Sequence, residues 1–295
     1  MQLIKKIAPY FFAYLITNIV FVCGYTFLNW HFLIKPQAHF IATDLSDFWF
    51  PFILPPLLIF IVFYFMLRAV QPAIGNLILI GLTATAGISP AVIIAQHDIK
   101  TATGKLTTLE NINEINQHPT TKYYKLNTYY VDKYYSGSFS CETSNRRSFD
   151  YTIFIACPIL LNPEDTLQPY YTCWLTMHYY KNFGAFDEST ISNREEGFWQ
   201  ESITDFEKRN VNSSNYLEAL EHDFDYKNFE MAAHNSSKYS SSTCNYFFKA
   251  PTFAYEQRSG YKGEWLIAVF LAEQLALGSI LYFLMKYLLK TGELK

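Results

Sequence analysis

Glu273 is the residue whose type and place say most about chemistry. It lies in an apolar run, Trp265 to Met285, that carries no other formal charge. At 1.5 Å per residue it sits about 12 Å into that run. A carboxylate in such a setting is costly and has to face protein or a water-filled space. Asn18, Asn76, Gln71, Thr83 and Thr85 lie in other apolar runs and are its candidate partners. Two chemistries follow: a proton or ion relay, or a protonated carboxyl that hydrogen-bonds neighbouring helices together. A second motif, Gly87-Ile88-Ser89-Pro90, has the outline of the G-x-S-G of an intramembrane serine peptidase, whose serine is activated by an imidazole. Here Pro90 replaces the second glycine, and His31, His39 and His97 all flank apolar runs rather than lying within them.

The polar middle of the chain offers three further groups. Glu218, His222, Asp223, Asp225, Glu230 and His234 follow one another along a predicted helix. His222 and His234 are too far apart on a helix to share a ligand, so the pattern reads as a solvated face. Cys141, Cys157, Cys173 and Cys244 are even in number. If they lie in an oxidising compartment, disulfides are expected, and proximity along the strands favours Cys141 with Cys157 and Cys173 with Cys244, each contributing roughly 3 to 4 kcal/mol. Four reduced, buried thiols are the alternative. Neither C-x-x-C nor a histidine pair with a cysteine partner occurs, so no metal and no cofactor is expected. Tyrosine doublets recur, and Tyr123, Tyr129 and Tyr179 are candidates for a partner-binding face, because tyrosine buries apolar area while keeping a hydroxyl.

These residues have to be held by elements legible in the charge pattern. The chain has 295 residues, a net charge of −3 and a mean hydropathy of +0.02, yet its apolar residues concentrate at the two ends. That segregation excludes a disordered chain, and the acidic balance excludes a nucleic-acid-binding arm. Uncharged runs at about 7–30, 48–67, 71–96 and 265–285 are each long enough to cross a hydrocarbon core. Prolines 51, 55 and 56 fall near the start of the second run, where a helix tolerates them best. Gly75, Gly81, Ala84, Gly87 and Ala91 mark the third as a packed inner helix. The first run is too long for a cleaved signal peptide, and Val22 before Cys23 is not the small residue that a lipoprotein site requires.

Direction follows from the basic flanks. Lys5, Lys6, Arg68, Lys286, Lys290 and Lys295 fall on one side of four spans, against Lys35 in the short loop opposite. Trp30, Trp49 and Trp265 fall near the other interface, as an aromatic belt requires. The expectation is an α+β membrane protein: four transmembrane helices, with one extracytoplasmic α+β domain inserted between spans three and four. Residues 1–97 form three spans, 98–263 the domain, and 264–295 the fourth span and a cytoplasmic tail. Both termini are cytoplasmic. The 98–263 segment holds 21 acidic and 16 basic residues, unlike a phosphate-binding footprint. Its first part, Leu106 to His118, reads as a short helix or turn. Strands are expected in Lys122–Asp132, Phe149–Cys157, Thr172–Tyr180 and Cys244–Phe248, and helices in Ser192–Lys208 and Tyr216–Ala233. Consecutive strands favour antiparallel pairing.

Gly24-Tyr-Thr-Phe-Leu-Asn-Trp30, Trp49-Phe-Pro-Phe-Ile-Leu-Pro-Pro56, Thr103 to Ile115, Lys122-Tyr-Tyr-Lys-Leu-Asn127 and Ile191-Ser-Asn-Arg194 resemble the membrane-anchored N-terminal region of certain bacterial rhomboid-family proteins. The resemblance covers most of the chain and weakens from about Glu195. In that family the protease is a separate multi-span module downstream, so no catalytic residue carries over. It implies a bacterial inner-membrane protein that anchors or recognises an envelope or membrane partner, without nucleic acid. A small transporter or ion-coupled protein using Glu273 is the alternative from a different class, and a peptidase-related protein is a remote third.

Overall fold

The computed structural model describes residues 2–35, 45–67, 74–145, 148–184, 188–212, 214–221, 224–241, 245–258, 260 and 262–290. Side chains in parts of the helices, Asn76 among them, lie outside this description, as do Arg68, His222 and Cys244. Helices α1 (Gln2–Asn29), α2 (Phe50–Leu67) and α3 (Ile74–Thr103) come first. The strands β1 (Leu106–Leu109), β2 (Tyr123–Leu126), β3 (Tyr130–Val131), β4 (Gly137–Asn145), β5 (Ser148–Leu160) and β6 (Cys173–Asn182) follow. Then come α4 (Glu188–Lys208), β7 (Leu217–Ala219), α5 (Phe224–His234), β8 (Tyr246–Lys249) and α6 (Lys262–Lys290). The chain divides into a helical unit, 1–103 with 258–295, and a sheet unit, 104–257.

In the helical unit α3 packs against α1, α2 and α6. Its polarity is inverted relative to a water-soluble bundle. Phe12, Ile16 and Val20 on α1, Phe52, Leu57 and Phe65 on α2, and Leu271, Leu275 and Phe283 on α6 are exposed, whereas Asn18, Asn29, Ser89, Gln96 and Gln274 are buried. Phe11–Ile34 and Leu45–Val62 are long and apolar enough to cross a membrane. Pro55 and Pro56 lie inside α2, beyond its first turn, and Pro90 lies inside α3, so each removes an intrahelical amide donor. A π-helical turn, Trp30–Ile34, continues α1, and another, Leu45–Trp49, leads into α2.

The sheet unit is α+β. Its strand order is β1-β2-β7-β8-β6-β5-β3, with β4 also paired to β5. The sheet is mixed rather than purely antiparallel: β1 runs parallel to β2 and β6 to β8. Each parallel pair is separated along the chain by a helical connection, as parallel strands require. Strand β5 (Ser-Phe-Asp-Tyr-Thr-Ile-Phe-Ile-Ala-Cys-Pro-Ile-Leu) is buried almost throughout from Tyr151 onward. A strand covered on both faces can read as one apolar run instead of an alternation. Tyr151, Ile153, Ile155, Cys157 and Ile159 join Phe198 and Phe206 of α4 in one core, while Phe154, Ala156 and Leu160 join Phe229, Ala232 and Ala233 of α5 in the other.

Local departures from the sequence reading have tertiary causes. Leu106–Leu109 is a strand paired with β2, and only Ile112–Gln117 turns helically, as a 3-10 helix with Asn111 accepting from the Asn113 amide at 3.1 Å. The expected strand 122–132 is divided into β2 and β3, and the expected helix 216–233 into β7 and α5. Strand β4 (Gly-Ser-Phe-Ser-Cys-Glu-Thr-Ser-Asn) is too polar to be expected, yet it pairs with β5 along its whole length. Helix α5 lies so close to β4 that a Cβ on Gly137 would fall 2.0 Å from the Ala232 carbonyl oxygen. Substituting Gly137→Ala should therefore destabilise the sheet unit by about 1–3 kcal/mol or more. Denaturant unfolding of the full chain checks this, and an unchanged midpoint would contradict the close approach.

Candidate functional sites

In the helical unit the polar side chains meet at two places. At the first, Asn18 Nδ2 donates to the Tyr14 hydroxyl, one turn back on α1, at 3.3 Å. Gln274 of α6 faces the same hydroxyl, and Glu273 lies within electrostatic reach of it. Asn18 is 0% and Gln274 7% exposed. Asn18 Oδ1, Glu273 Oε2 and both amide atoms of Gln274 are buried without a hydrogen-bond partner. An apolar groove of about 600 Å³ runs beside Gln274 between α1 and α6, walled by Phe11, Phe12, Leu275 and Phe283. Asn76, the other expected partner, lies outside the described side chains. Sequence reasoning missed Tyr14 and Gln274; their signal was adjacency, a phenol one turn from Asn18 and an amide next to Glu273.

The second place ties helix ends together. Asn29 Nδ2 donates to Gln96 Oε1 at 2.5 Å, Tyr25 donates to the Ser46 carbonyl at 2.5 Å, and Lys100 pairs with Asp47. Trp30 Nε1 donates to Thr103 Oγ1 at 3.2 Å. These bonds join α1, α3 and the turn before α2. Ser89 of the Gly87-Ile88-Ser89-Pro90 motif donates to the Pro51 carbonyl at 2.8 Å, a backbone acceptor rather than an imidazole. The motif thus fastens α3 to α2.

In the sheet unit the three expected binding tyrosines each have partners within the unit. Tyr123 is 1% exposed and packs edge-on against Tyr216 and Tyr255 at 5.7 and 5.4 Å. Tyr129 is partly buried against the α4-side core and donates to the Ser214 carbonyl at 3.3 Å. Tyr179 donates to Asp205 Oδ2 at 2.9 Å beneath the Arg209 guanidinium, and burial first, then that bond, pushes its hydroxyl up to about 12.

Other tyrosines are exposed. Tyr134 is 86% exposed and stands edge-on to Tyr135 at 4.9 Å. The Lys238 amino group lies 4.7 Å from the Tyr135 ring and 5.8 Å from the Tyr171 ring, anchored on the Thr166 and Gln168 carbonyls at 3.0 and 2.9 Å. Tyr170, beside Tyr171, is exposed as well. A cavity of about 310 Å³ adjoins Tyr134, between residues 130–134 and 209–212. Its floor is set by Lys133, whose amino group donates to the Phe206, Glu207 and Arg209 carbonyls at 2.7, 2.9 and 2.6 Å. A lysine at that end satisfies the orphan carbonyls of α4 and opposes its dipole.

The acidic and imidazole residues near α5 disperse. Glu218 and Glu221 pair with Lys122 at 3.5 and 3.1 Å, Glu230 accepts from Tyr239 at 3.3 Å, and His234 packs on the Tyr239 ring. His222 and Asp223 lie outside the described residues. Among the described residues no three His, Cys, Asp or Glu side chains come together as metal ligands.

The expected Cys141–Cys157 disulfide is not made, and the register explains why. Cys141 is opposite Thr152, five positions from Cys157 along β5, or about 17 Å. The two thiols also belong to opposite faces, Cys141 beside the α5 core and Cys157 within the α4 core. Such a pair is out of disulfide range. Cys173 is buried in the same core as Cys157, and its expected partner Cys244 lies outside the described residues. No family model, curated protein or solved structure matches the chain.

The thiols give a direct test. Burial pushes Cys157 up to about 12, while Cys141, half-buried, is raised by burial and by Asp225 and Glu142. Maleimide should modify Cys141 of the folded chain well before Cys157, which should react only after denaturation. Because the Cys157 thiol ionises later when folded than when unfolded, its contribution to stability should be lost as pH rises from about 9 towards 12. Cys157→Ala should flatten that decline in unfolding titrations; equal labelling rates would contradict the packing of β5.

Proposed function

We propose that the chain is a multi-pass protein of a bacterial inner membrane, whose sheet unit stands outside the cytoplasm and binds an envelope partner. The observation that carries this reading is the inverted polarity of the helical unit, with large apolar side chains outward and amides inward. In water such a surface would be a large unpaired apolar patch, whereas in a bilayer it is the normal arrangement. On this reading α1 with its π-helical turn, α2, α3 and α6 are the four spans. The excess of lysine and arginine beside one set of span ends holds both tails in the cytoplasm. The resemblance to the anchoring region of rhomboid-family proteins agrees with such a role and assigns no peptidase chemistry.

The partner surface in this proposal is the end of the sheet unit bearing Tyr134, Tyr135, Lys238 and Tyr170. It combines exposed aromatic rings, a fixed cation and the 310 Å³ cavity, features that suit an anchoring side chain of another protein. An acidic domain on the same side as its partner adds electrostatic choice without nucleic-acid affinity.

Two measurements test the reading. In intact cells, in a chain carrying Cys141→Ser and Cys244→Ser, a membrane-impermeant maleimide should label a cysteine placed at Tyr134 and miss one placed at Lys290. Labelling of the tail instead would reverse the sidedness and sink the proposal. A photo-crosslinker at Tyr134 should capture a defined envelope protein, one at Tyr123 should capture none, and Tyr170→Ala should weaken that complex by roughly tenfold or more.

A further inference from the structure

The groove between α1 and α6 has a length, a direction and a basic mouth. It follows α6 from Gln274 to Phe283, with Ala8, Phe11 and Phe12 as its facing wall, and holds about 600 Å³. Nine steps at 1.5 Å make it about 14 Å long, which is close to the depth of one leaflet, half of a hydrocarbon core about 30 Å thick. Its floor is narrow at Gly278, where an added Cβ would fall 2.8 Å from the Phe11 ring, and Phe12, Leu275 and Phe283 stand exposed on its rims. The Ser279 hydroxyl is spent on the Leu275 carbonyl at 2.8 Å, so it leaves the lining largely apolar. The groove opens towards the start of α1 and the end of α6. There Lys286 comes one turn after Tyr282 on the same face of α6, and Lys290 one turn later; both are exposed. Lys5 comes one turn before Ala8 on α1, whereas Lys6 falls on the opposite face of that helix.

We infer that this groove binds an anionic glycerophospholipid, with one acyl chain lying along α6 and the phosphate meeting Lys286 at the mouth. The site rests on the membrane reading above. Charge complementarity selects the occupant: a long apolar recess that ends in lysines suits a chain carrying a negative head, and a zwitterionic head would bring its own ammonium against them. A lysine stem can lie along apolar surface while its amino group reaches the headgroup layer. A second copy seated on the groove across a two-fold axis would set lysine against lysine. Holding the tails on one side of a membrane needs basic residues near the span ends, at any position around the helix. It does not require one on the groove's own face, where Lys286 stands.

The test is native mass spectrometry of the purified full-length chain in detergent, titrated with phosphatidylglycerol or with phosphatidylcholine of the same acyl chains. One phosphatidylglycerol should be retained at about tenfold lower lipid concentration than phosphatidylcholine. Lys286→Gln should raise the phosphatidylglycerol requirement roughly fivefold and leave that of phosphatidylcholine unchanged. Lys6→Gln should change neither, and Ser279→Phe, which fills the groove, should remove both lipids. Equal retention of the two lipids overturns the proposal. So does a loss on Lys6→Gln as large as that on Lys286→Gln, which would mark diffuse surface charge, or a dimer that excludes lipid, which would make a second copy the occupant. Should Ser279→Phe fail to fold, the two lipids and the two lysine variants still decide. A chain that stays monodisperse without detergent overturns the membrane reading and the site together, whereas equal retention by a detergent-dependent chain overturns the site alone.

Discussion

A polar atom withdrawn from water has to find a partner, and that constraint organises the two units in opposite ways. In the helical unit the backbone satisfies itself, so the outer faces can be wholly apolar and the few polar side chains must find each other inside. Tyr14 with Asn18, Asn29 with Gln96, and Ser89 with the Pro51 carbonyl are the results. In the sheet unit the backbone satisfies itself between strands. Both faces of β5 can then be given to side-chain packing, with α4 against one and α5 against the other. The polar residues of that unit go to its ends and edges, where Lys133 and Lys238 each serve main-chain carbonyls.

The two-sided core governs the Tyr123–Tyr124 doublet, whereas Tyr170 and Tyr180 of other doublets are exposed. Consecutive residues on a strand point to opposite faces. If one face were open, a doublet would place one ring outside; here Tyr123 and Tyr124 are both fully buried because both faces are closed. Tyr134, in the short connection between β3 and β4, is exposed instead. The same closure disposes of the disulfide expectation for Cys141 and Cys157. Pairing by nearness in sequence assumed one face, and the β4–β5 register separates the thiols both along the strand and across it.

How much was legible follows from which signals are local. The apolar runs of α1 and α2, the β5 and β6 strands and the greater part of α4 were visible, because each is long and its composition is uniform. Short elements were not. Leu106–Leu109 and Leu217–Ala219 are strands only because β2 and β8 lie ready to pair with them. Their own spacing of apolar residues suits a helix equally well. Strand β4 carries almost no apolar signal and is held by its register with β5 and by the close seat of α5 on Gly137. Parallel pairing of β6 with β8 depends on the chain returning through α4, β7 and α5, which no window of sequence contains.

The candidate sites divide along the same line. Glu273 and Asn18 were conspicuous because polarity in an apolar run is a local anomaly. Gln274 and Tyr14 matter only through three-dimensional proximity to them. That difference bears on what the helical cluster is for. Both polar groups inside the helical unit keep open atoms: Asn29 and Gln96 share one hydrogen bond at 2.5 Å, yet Asn29 Oδ1 and Gln96 Nε2 are buried without a partner. Near Glu273, Asn18 Oδ1, Glu273 Oε2 and both amide atoms of Gln274 are open in the same way. Helix joining alone does not explain such open groups, since an apolar pair of similar shape would join two helices without the desolvation cost.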